Sequence, residues 1–165
     1  MNKPENIHIR IAEMQDVDTI LHWENDPSLW EVTDQPGPFT RNQILQFILR
    51  SQDLADDLQQ RWMIIHAVHG PVGCIDLFEY DEELREVGIG ITIALREHRR
   101  KGYAQSALVQ MMDCLHKEFR LRKIHCLIHS TNTGSMQLFH NLGFQNAGER
   151  IHRGKHTLYY ERKLD

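Results

Sequence analysis

A short basic segment is the part of this sequence best suited to bind an anion. Arg99, Arg100 and Lys101 place three cations side by side, and Gly102 and Ala104 follow with little or no side chain. The segment lies between a predicted strand and a predicted long helix, so several backbone N–H groups can point at one spot and the helix N-terminus adds positive potential. The pattern predicts a pyrophosphate site. The alternative is a basic surface loop whose glycine begins the helix.

The strand before this loop has one almost bare face. Between residues 86 and 93 the apolar side chains point to one side, and the other side carries Glu86, Gly88, Gly90 and Thr92. A face without large side chains leaves room for a ligand to approach the backbone. The alternative is a kink or a bulge at the glycines, and a bulge would itself splay the strands and admit a ligand.

Periodicity predicts the elements that must position these residues. Alternation of apolar and polar residues, together with turn signals, predicts strands at 7–11, 61–67, 72–80, 86–93, 123–129, 144–152 and 156–163. Helical spacing predicts a helix that begins near residue 17 with Asp16 as its cap, a second after a capping box at Thr40 and Gln43, and further helices at 102–119 and 134–141. Segments 26–39 and 53–60 are predicted loops, the first with a turn of helix at 28–31.

The order of these elements predicts the fold class. The strand at 86–93, the long helix and the strand at 123–129 form a βαβ unit, so the two strands should be parallel neighbours. The whole predicts an α/β (α+β) fold in a single domain over residues 1–165. Its sheet should be mixed, with about seven strands and with helices on both faces.

Composition excludes several classes of protein. Hydrophobic residues make up 41% and charged residues 25%, which fits an ordinary globular domain rather than a disordered chain. The net charge of −4 argues against a general nucleic-acid binder. No apolar run approaches the roughly 20 residues that span a membrane, and three separated cysteines predict reduced thiols, so we expect a cytoplasmic protein. The 11 histidines are scattered without metal-ligand spacing, so no metal is expected.

Three motifs resemble one enzyme family. Arg99-x-x-Gly102-x-Ala104 is similar to the Q/R-x-x-G-x-G/A loop of the GNAT N-acetyltransferases, which binds the pyrophosphate of acetyl-CoA. Asn132-x-x-Ser135 and the following segment 138–144, which ends in Leu-Gly-Phe, resemble the family's second cofactor segment. The order of elements agrees over nearly the whole chain. Segments 9–10, 23–26 and 75–78 look most like the branch that holds ribosomal-protein N-terminal acetyltransferases and spermidine acetyltransferases.

The resemblance implies how acetyl-CoA would bind. Backbone groups of Ile91, Thr92 and Ile93 would pair with the pantetheine arm like a guest strand. Asn132 and Ser135 would contact the pantetheine or adenosine diphosphate end, and Asn132 is also a good helix cap. The pyrophosphate would be cradled by Arg99, Arg100, Lys101, Gly102, Tyr103 and Ala104.

The resemblance also implies the reaction, which is acetyl transfer to a primary amine. The acceptor would be a polyamine or related small molecule, or a protein N-terminus, with no nucleic acid or membrane involved and a homodimer possible. An ammonium must lose its proton before it attacks the thioester, and Glu86 is the candidate proton acceptor. Its alternative role is a solvated carboxylate at the end of a turn.

One position departs from the family pattern. The family often has a tyrosine where this chain has Phe139, and that tyrosine protonates the departing thiolate. Phe139 has no proton to give, so another group such as Tyr103 or Tyr159 would serve, or water would. The alternative function is a catalytically weak CoA-binding sensor or partner-binding module.

Acceptor recognition has weaker signals. Six acidic residues within eleven positions could attract a cationic amine, although solvated turns explain them equally well: Asp76, Glu79, Asp81, Glu82, Glu83 and Glu86. Trp23, Trp30 and the loop at 26–39 could wall the acceptor site, and core packing is the preferred alternative for Trp23.

Overall fold

The computed structural model of the protein describes residues 6–30 and 36–164. Over these residues the strands are β1 (Ile7–Ile11), β2 (Gln60–His66), β3 (Gly70–Asp81), β4 (Glu86–Ile93), β5 (Lys123–His129), β6 (Gln145–His152) and β7 (Lys155–Lys163). The α-helices are α1 (Val17–Glu24), α2 (Arg41–Leu49), α3 (Leu54–Asp57), α4 (Tyr103–Lys117) and α5 (Thr133–Asn141). Single 3₁₀ turns lie at Met14–Asp16, Pro27–Leu29 and Arg96–His98.

The strands form one mixed sheet in the order β1-β2-β3-β4-β5-β7-β6. The β4–β5 pair is parallel, and α4 connects these two strands, as the βαβ pattern predicts. The other neighbouring pairs are antiparallel. The predicted mixed sheet of about seven strands is therefore confirmed.

Alternation along the strands gives the sheet two apolar faces. On β3, Cys74 packs in a cluster with residues of α1 and α2, such as Ile20 and Ile48. Its neighbour Ile75 packs in a second cluster with residues of α4, such as Met111. We call these the α1–α2 face and the α4 face. Because each side of the sheet buries helices, β3 has buried residues on both sides, and the predicted helices on both faces are confirmed.

Two predicted helix starts have different outcomes. At α2 the capping box forms, since Thr40 Oγ1 accepts a hydrogen bond from Gln43 N at 3.2 Å and Gln43 Oε1 accepts one from Thr40 N at 2.8 Å. At α1 the prediction that Asp16 caps the helix is wrong, because its carboxylate makes no cap bond there. Asp16 instead binds Arg10 at 2.7 and 2.9 Å and accepts from Glu13 N, which closes the preceding 3₁₀ turn.

Two predicted loops hold short helical turns. The segment 53–60 contains α3, whose start is capped by the Asp53 carboxylate. The turn expected at 28–31 is a 3₁₀ turn at Pro27–Leu29, and its last predicted residue, Glu31, lies outside the described residues. In the described part of the chain, we find no helix with both the length and the apolar character needed to cross a membrane.

Candidate active site

A fork between β4 and β5 is the main opening in the sheet. The two strands pair at only three positions: Glu86 with Lys123, Val87 with Ile124, and Gly88 with His125. Beyond Gly88 and His125 both strands continue, β4 to Ile93 and β5 to His129, without further pairing to each other. The facing backbone edges are thus free to pair with an extended ligand.

A bulge lies beside the glycines of β4, although it belongs to β3. Glu79 and Tyr80 both lie opposite Val87, because Phe78 pairs with Gly88 and Asp81 pairs with Glu86. Glu79 adopts a left-handed φ of 50° in this bulge. Bulges increase the local twist of a strand pair, so this one supplies a physical cause for the divergence of β4 from β5.

The bare face of β4 is open at only one of its two glycines. A Cβ atom on Gly88 would collide with the ring of Phe78, so this glycine is required by an aromatic side chain of the protein itself. A Cβ atom on Gly90 would lie 4.0 Å from its nearest neighbour, which is also an atom of the Phe78 ring. The prediction of free ligand space is therefore wrong at Gly88 and holds sterically at Gly90.

The backbone groups of β4 alternate between β3 and the fork. Ala94 N donates to Val72 O of β3 at 3.0 Å, and the carbonyl oxygen of Thr92 abuts Gly73 of β3. Because antiparallel pairing alternates, Ile91 and Ile93 direct their N–H and C=O groups into the fork. Pairing of the pantetheine arm with Ile91 and Ile93 stays a prediction. The same role for the Thr92 backbone does not fit, because β3 already uses those groups.

The basic loop has the backbone form that an anion site needs. Gly102 is the N-cap of α4 with φ of 82°, and Arg100 before it also has a left-handed φ of 58°. No side chain caps this helix end, so the N–H groups of the first turn, which begins at Tyr103 and Ala104, are left for a ligand. Arg100, Lys101 and Gly102 are all exposed. This agrees with the predicted pyrophosphate cradle.

Arg99 holds the loop onto the end of β4. Its Nε donates to Ile93 O at 3.1 Å and its Nη2 to Ala94 O at 3.4 Å. The guanidinium therefore satisfies carbonyl groups where the strand ends. In this arrangement Arg99 positions the loop, while the exposed cations that follow it face solvent.

A cluster of imidazole rings supports the loop from below. Tyr103 is buried, and its ring contacts His66 at 5.1 Å and His98 at 6.3 Å between centroids. His69 stacks on His66 at 4.5 Å and contacts His98 at 5.0 Å. Burial, followed by neighbouring His69, His98 and Lys101, lowers the pKa of His66. Sequence reasoning missed this cluster because its members come from separate segments.

The second cofactor segment begins at α5. Asn132 Oδ1 accepts a hydrogen bond from Ser135 N at 3.1 Å, so the capping role is confirmed. Phe139 is only 3% exposed and packs edge-on against Phe144 with ring centroids 5.0 Å apart. The ring thus contributes to the core on the α4 face, and contacts of Asn132, Ser135 and Phe139 with the cofactor stay predictions.

The two alternative tyrosines lie in different places. Tyr103 belongs to the imidazole cluster beneath the basic loop. Tyr159 on β7 stacks on His125 with centroids 5.3 Å apart, beside the point where the fork opens. Of these two hydroxyl-bearing residues, Tyr159 is therefore the one at the fork.

Glu86 lies at the closed end of the fork in an ion pair. Lys123 Nζ is 2.6 Å from its Oε2 and 3.8 Å from Oε2 of Glu161. The hydrogen bond to Glu86 is the main cause that raises the pKa of Lys123. An acceptor ammonium would have to compete with Lys123 for this carboxylate. The role of Glu86 as proton acceptor stays a prediction.

His125 lies at the last paired position of β5, on the α1–α2 face. Its Nε2 is 3.3 Å from Glu79 Oε2, and the Phe78 ring meets it edge-on at 5.8 Å. Its Nδ1 is buried and has no hydrogen-bond partner. The sequence analysis did not identify His125. The signal that could have found it is a polar residue on one of two predicted parallel strands, placed opposite a glycine of the other strand.

A buried arginine ties α1 to the middle of the fork. Arg61 binds the Asp76 carboxylate at 2.6 and 2.9 Å and Glu24 at 2.8 Å, and it stacks over Phe47. Asp76 pairs with Gly90, so this network reaches the strand position that is open to a ligand. The neighbouring carboxylate of Asp76 raises the pKa of Arg61 against the effect of burial.

The six acidic residues do not act as one cluster. Asp76 is held by Arg61, Glu79 by His125 and Glu86 by Lys123. Asp81 accepts a hydrogen bond from Leu84 N at 2.8 Å within the turn. Glu82 and Glu83 are exposed, and no contact of this kind is described for either of them. These two residues fit the solvated-turn alternative.

A cavity of about 630 Å³ lies against α1 and the turn that follows it. Asp26 lies on the wall of this cavity. The backbone N–H of Ser28 is the main cause that lowers the pKa of Asp26, and the charge of Arg99 contributes. Trp23 packs against the α1–α2 cluster, as the core-packing alternative predicts, and Trp30 Nε1 donates to Glu24 O at 2.8 Å. The cavity is lined by Asp18, Leu21, His22, Asn25, Asp26 and Pro27.

The described residues offer neither an activated thiol nor a metal centre. Burial raises the pKa of Cys74 to about 12 and that of Cys114 to about 11, and it raises the pKa of Cys126 further. Within 6–30 and 36–164, no group of three or more histidine, cysteine, aspartate or glutamate side chains is arranged to hold a metal ion.

Sequence comparison identifies relatives over most of the chain. The profile of a family described as acetyltransferase (GNAT) domain matches residues 6–145. An uncharacterized N-acetyltransferase of Bacillus licheniformis, p20, is 28% identical over 149 residues, which cover 87% of this chain and 82% of that protein.

Solved structures share the fold at lower identity. The spermidine N-acetyltransferase of Vibrio cholerae, solved with CoA and spermine, superposes with a TM-score of 0.83 at 18% identity, covering 96% of this chain and 95% of that one. A domain from Methanocaldococcus jannaschii superposes with a TM-score of 0.77 at 20% identity, covering 96% and 98%. At these identities the likeness shows a common fold.

Proposed function

This chain belongs to the GNAT acetyltransferase family, as its motifs predict, and we propose that it transfers the acetyl group of acetyl-CoA directly to a primary amine of a small cationic molecule. Acetyl transfer to an amine and the use of acetyl-CoA as co-substrate follow from the family. The direct step, the class of acceptor and the roles of individual residues are proposals.

The observation that carries the proposal is the fork together with the basic loop at its end. Ile91 offers its N–H and C=O groups, and Ile93 its N–H group, along one side of the fork, while Ile93 O accepts a hydrogen bond from Arg99. The free N–H groups at the start of α4 follow only a few residues later, where a pyrophosphate would lie. An extended thioester ligand with a pyrophosphate tail fits both features, with its acetyl end towards Gly90.

The thiols of the protein argue for direct transfer. A cysteine nucleophile must be a thiolate, and free cysteine has a pKa of about 8.5. Burial holds the pKa of all three cysteines well above that value. An acetyl-cysteine intermediate is therefore disfavoured. Direct attack of the amine on the thioester transfers the acetyl group without such an intermediate.

Acidic groups on the acceptor side support a cationic substrate. Asp18 and Asp26 line the cavity against α1, and Asp76, which Arg61 binds, lies opposite Gly90. Carboxylates that line a cavity attract amines that carry positive charge. The solved neighbour that contains spermine acts on spermidine by its name, which supports a polyamine-like acceptor here.

A thiol-release assay over a panel of amines tests the proposal. The panel contains spermidine, spermine, shorter diamines and peptides with free N-termini, each with acetyl-CoA. We expect release of CoA with the polyamines and identify the acetylated product by mass spectrometry. Faster turnover of the N-terminal peptides would replace the small-molecule acceptor with a protein N-terminus. CoA binding without turnover of any amine would favour the sensor or partner-binding module.

A further inference from the structure

We propose that His125 is the proton acceptor of the reaction and that Glu79 orients its ring, an inference that rests on the acetyl transfer proposed above. The proposal starts from position. His125 is the last β5 residue that pairs with β4, so its side chain stands where the fork opens. The ring of Phe78 occupies the space above its cross-strand neighbour, Gly88, and forms a wall beside His125.

The carboxylate of Glu79 fixes the tautomer of this imidazole. An ionised carboxylate only accepts hydrogen bonds, so Nε2 of His125 must carry the proton in its 3.3 Å contact with Glu79 Oε2. The other nitrogen, Nδ1, then holds a free lone pair. A carboxylate that orients an imidazole in this way is a recurrent arrangement for general bases.

The bulge in β3 explains how Glu79 reaches the ring. Glu79 has a left-handed φ of 50°, which is uncommon for a residue with a side chain. The extra residue in this strand changes the direction of its side chain relative to regular alternation. The strained backbone is thus tied to the Glu79–His125 contact.

The unpartnered Nδ1 is the second observation. The His125 side chain is 5% exposed, and Nδ1 has no partner among the described residues. A buried acceptor without a donor is destabilising, so such groups are rare in folded proteins. A donor that arrives with the substrate, directly or through one water molecule, would satisfy this nitrogen only during the reaction.

The surroundings keep the ring neutral and rigid. Tyr159 stacks on one face and Phe78 meets its edge. Burial lowers the pKa of His125, and the hydrogen bond that its Nε2 donates to Glu79 opposes this effect. Charged groups from the packed elements act on it as well: Glu86 from β4 raises the pKa and Arg150 from β6 lowers it. Glu161 of β7 pairs directly with His125, and Lys123, two residues before His125 on β5, lies 3.8 Å from the Glu161 carboxylate.

The proposed step balances as follows. The acceptor ammonium gives one proton to Nδ1 and becomes a free amine. Its nitrogen forms a bond to the thioester carbonyl carbon, and the carbon–sulfur bond breaks with its electron pair on sulfur. The second proton of the nitrogen goes to the thiolate, directly or through a neighbouring group, which yields the amide and CoA thiol. The imidazolium returns its proton to water.

Kinetics of three variants test the proposal with an amine that wild type acetylates. His125→Asn should lower kcat by about 10²–10⁴-fold and remove the acidic limb of the pH profile of kcat/KM, with CoA affinity unchanged. Glu79→Gln should lower kcat by roughly tenfold and shift that limb, because the tautomer is no longer fixed. Glu86→Gln is the comparison variant: it should retain the limb, shifted to lower pH, because Glu86 no longer raises the pKa of His125. A His125→Asn enzyme that retains the limb would overturn the proposal.

Magnetic resonance of the imidazole tests it independently of turnover. Nitrogen chemical shifts of histidine-labelled protein should show His125 protonated at Nε2 and bare at Nδ1 at neutral pH. Protonation of Nδ1 instead would overturn the proposal even in an active enzyme. If wild type acetylates no amine, the proposed function fails, whereas this measurement still decides whether His125 has the required tautomer.

Discussion

Gly88 and His125 face each other at the last step of the β4–β5 ladder, and the two strands separate beyond them. The ring of Phe78 fills the space above Gly88 and also meets His125 edge-on. One aromatic side chain therefore contacts both residues of this pair and forms one wall of the site. A side chain larger than hydrogen at residue 88 would displace Phe78 and disturb His125 at the same time.

The first prediction concerns the basic loop. Gly102→Glu places a carboxylate where a pyrophosphate is expected, so CoA affinity should fall by about 100-fold or more, equivalent to about 3 kcal/mol. Gly102→Ala is the matched control, because it introduces the strain of a side chain at φ of 82° without a charge. We expect the control to lose less than about tenfold by calorimetry. Equal affinity of the Glu variant and wild type would remove the pyrophosphate from this loop.

The second prediction separates Glu86 from His125 as proton acceptor. Glu86→Gln removes the partner of Lys123 and keeps the shape of the side chain. We expect kcat to fall by less than about tenfold, because the ammonium of Lys123 already occupies the carboxylate. A loss of about 10²–10⁴-fold with unchanged CoA affinity would instead identify Glu86 as the base.

The third prediction compares two tyrosines. Tyr159→Phe keeps the ring that stacks on His125 and removes only the hydroxyl. If this hydroxyl protonates the thiolate, kcat should fall by about 10- to 100-fold. Tyr103→Phe is the matched control in the imidazole cluster beneath the basic loop, and its kcat should change less than about threefold. The same small effect in both variants would leave water as the proton donor.

The fourth prediction concerns Phe139. The ring is buried against Phe144, so the hydroxyl of Phe139→Tyr enters the core or must displace its neighbours. An unpaired buried hydroxyl should lower the free energy of unfolding by about 1–3 kcal/mol. Turnover should rise by less than about tenfold, because a thiolate already leaves readily near neutral pH. Strong activation of an otherwise inert wild type would favour the binding-module alternative.

The fifth prediction concerns stability in mild acid. Burial lowers the pKa of both His66 and His125 below the value of 6.5 for an unfolded chain. The unfolded state therefore binds more protons than the folded state just below this pH. The contribution of these two histidines to the free energy of unfolding is complete above about pH 6.5 and is lost as the pH falls. Urea unfolding at about pH 7.5 and pH 5.5 measures the difference, and His125→Asn should reduce it. If His125→Asn and wild type show the same difference in the free energy of unfolding between these two pH values, the contribution of His125 is contradicted.

Local sequence patterns were sufficient to predict most elements of the fold. Alternation and helical spacing are consequences of burial on one face, so they predicted β4 and β5 with their observed bounds and α4 within two residues. The basic loop was also predictable, because its cations, Gly102 and Ala104 are consecutive in the chain. The prediction failed at Asp16 because Arg10, on another element, and Glu13 N already bind its carboxylate.

Tertiary structure alone decided which side chains meet at the fork. His125 lies 46 residues from Glu79 in the sequence, and their contact depends on a bulge and a strand register that no local pattern encodes. The same holds for Lys123 and Glu86, whose ion pair forms because parallel strands bring them side by side. The sequence by itself determined the family, the basic loop and the order of elements, because neighbouring residues carry these signals. Packing determined the state of each candidate group, because a carboxylate or an imidazole acquires its charge and orientation from partners that only the folded chain supplies.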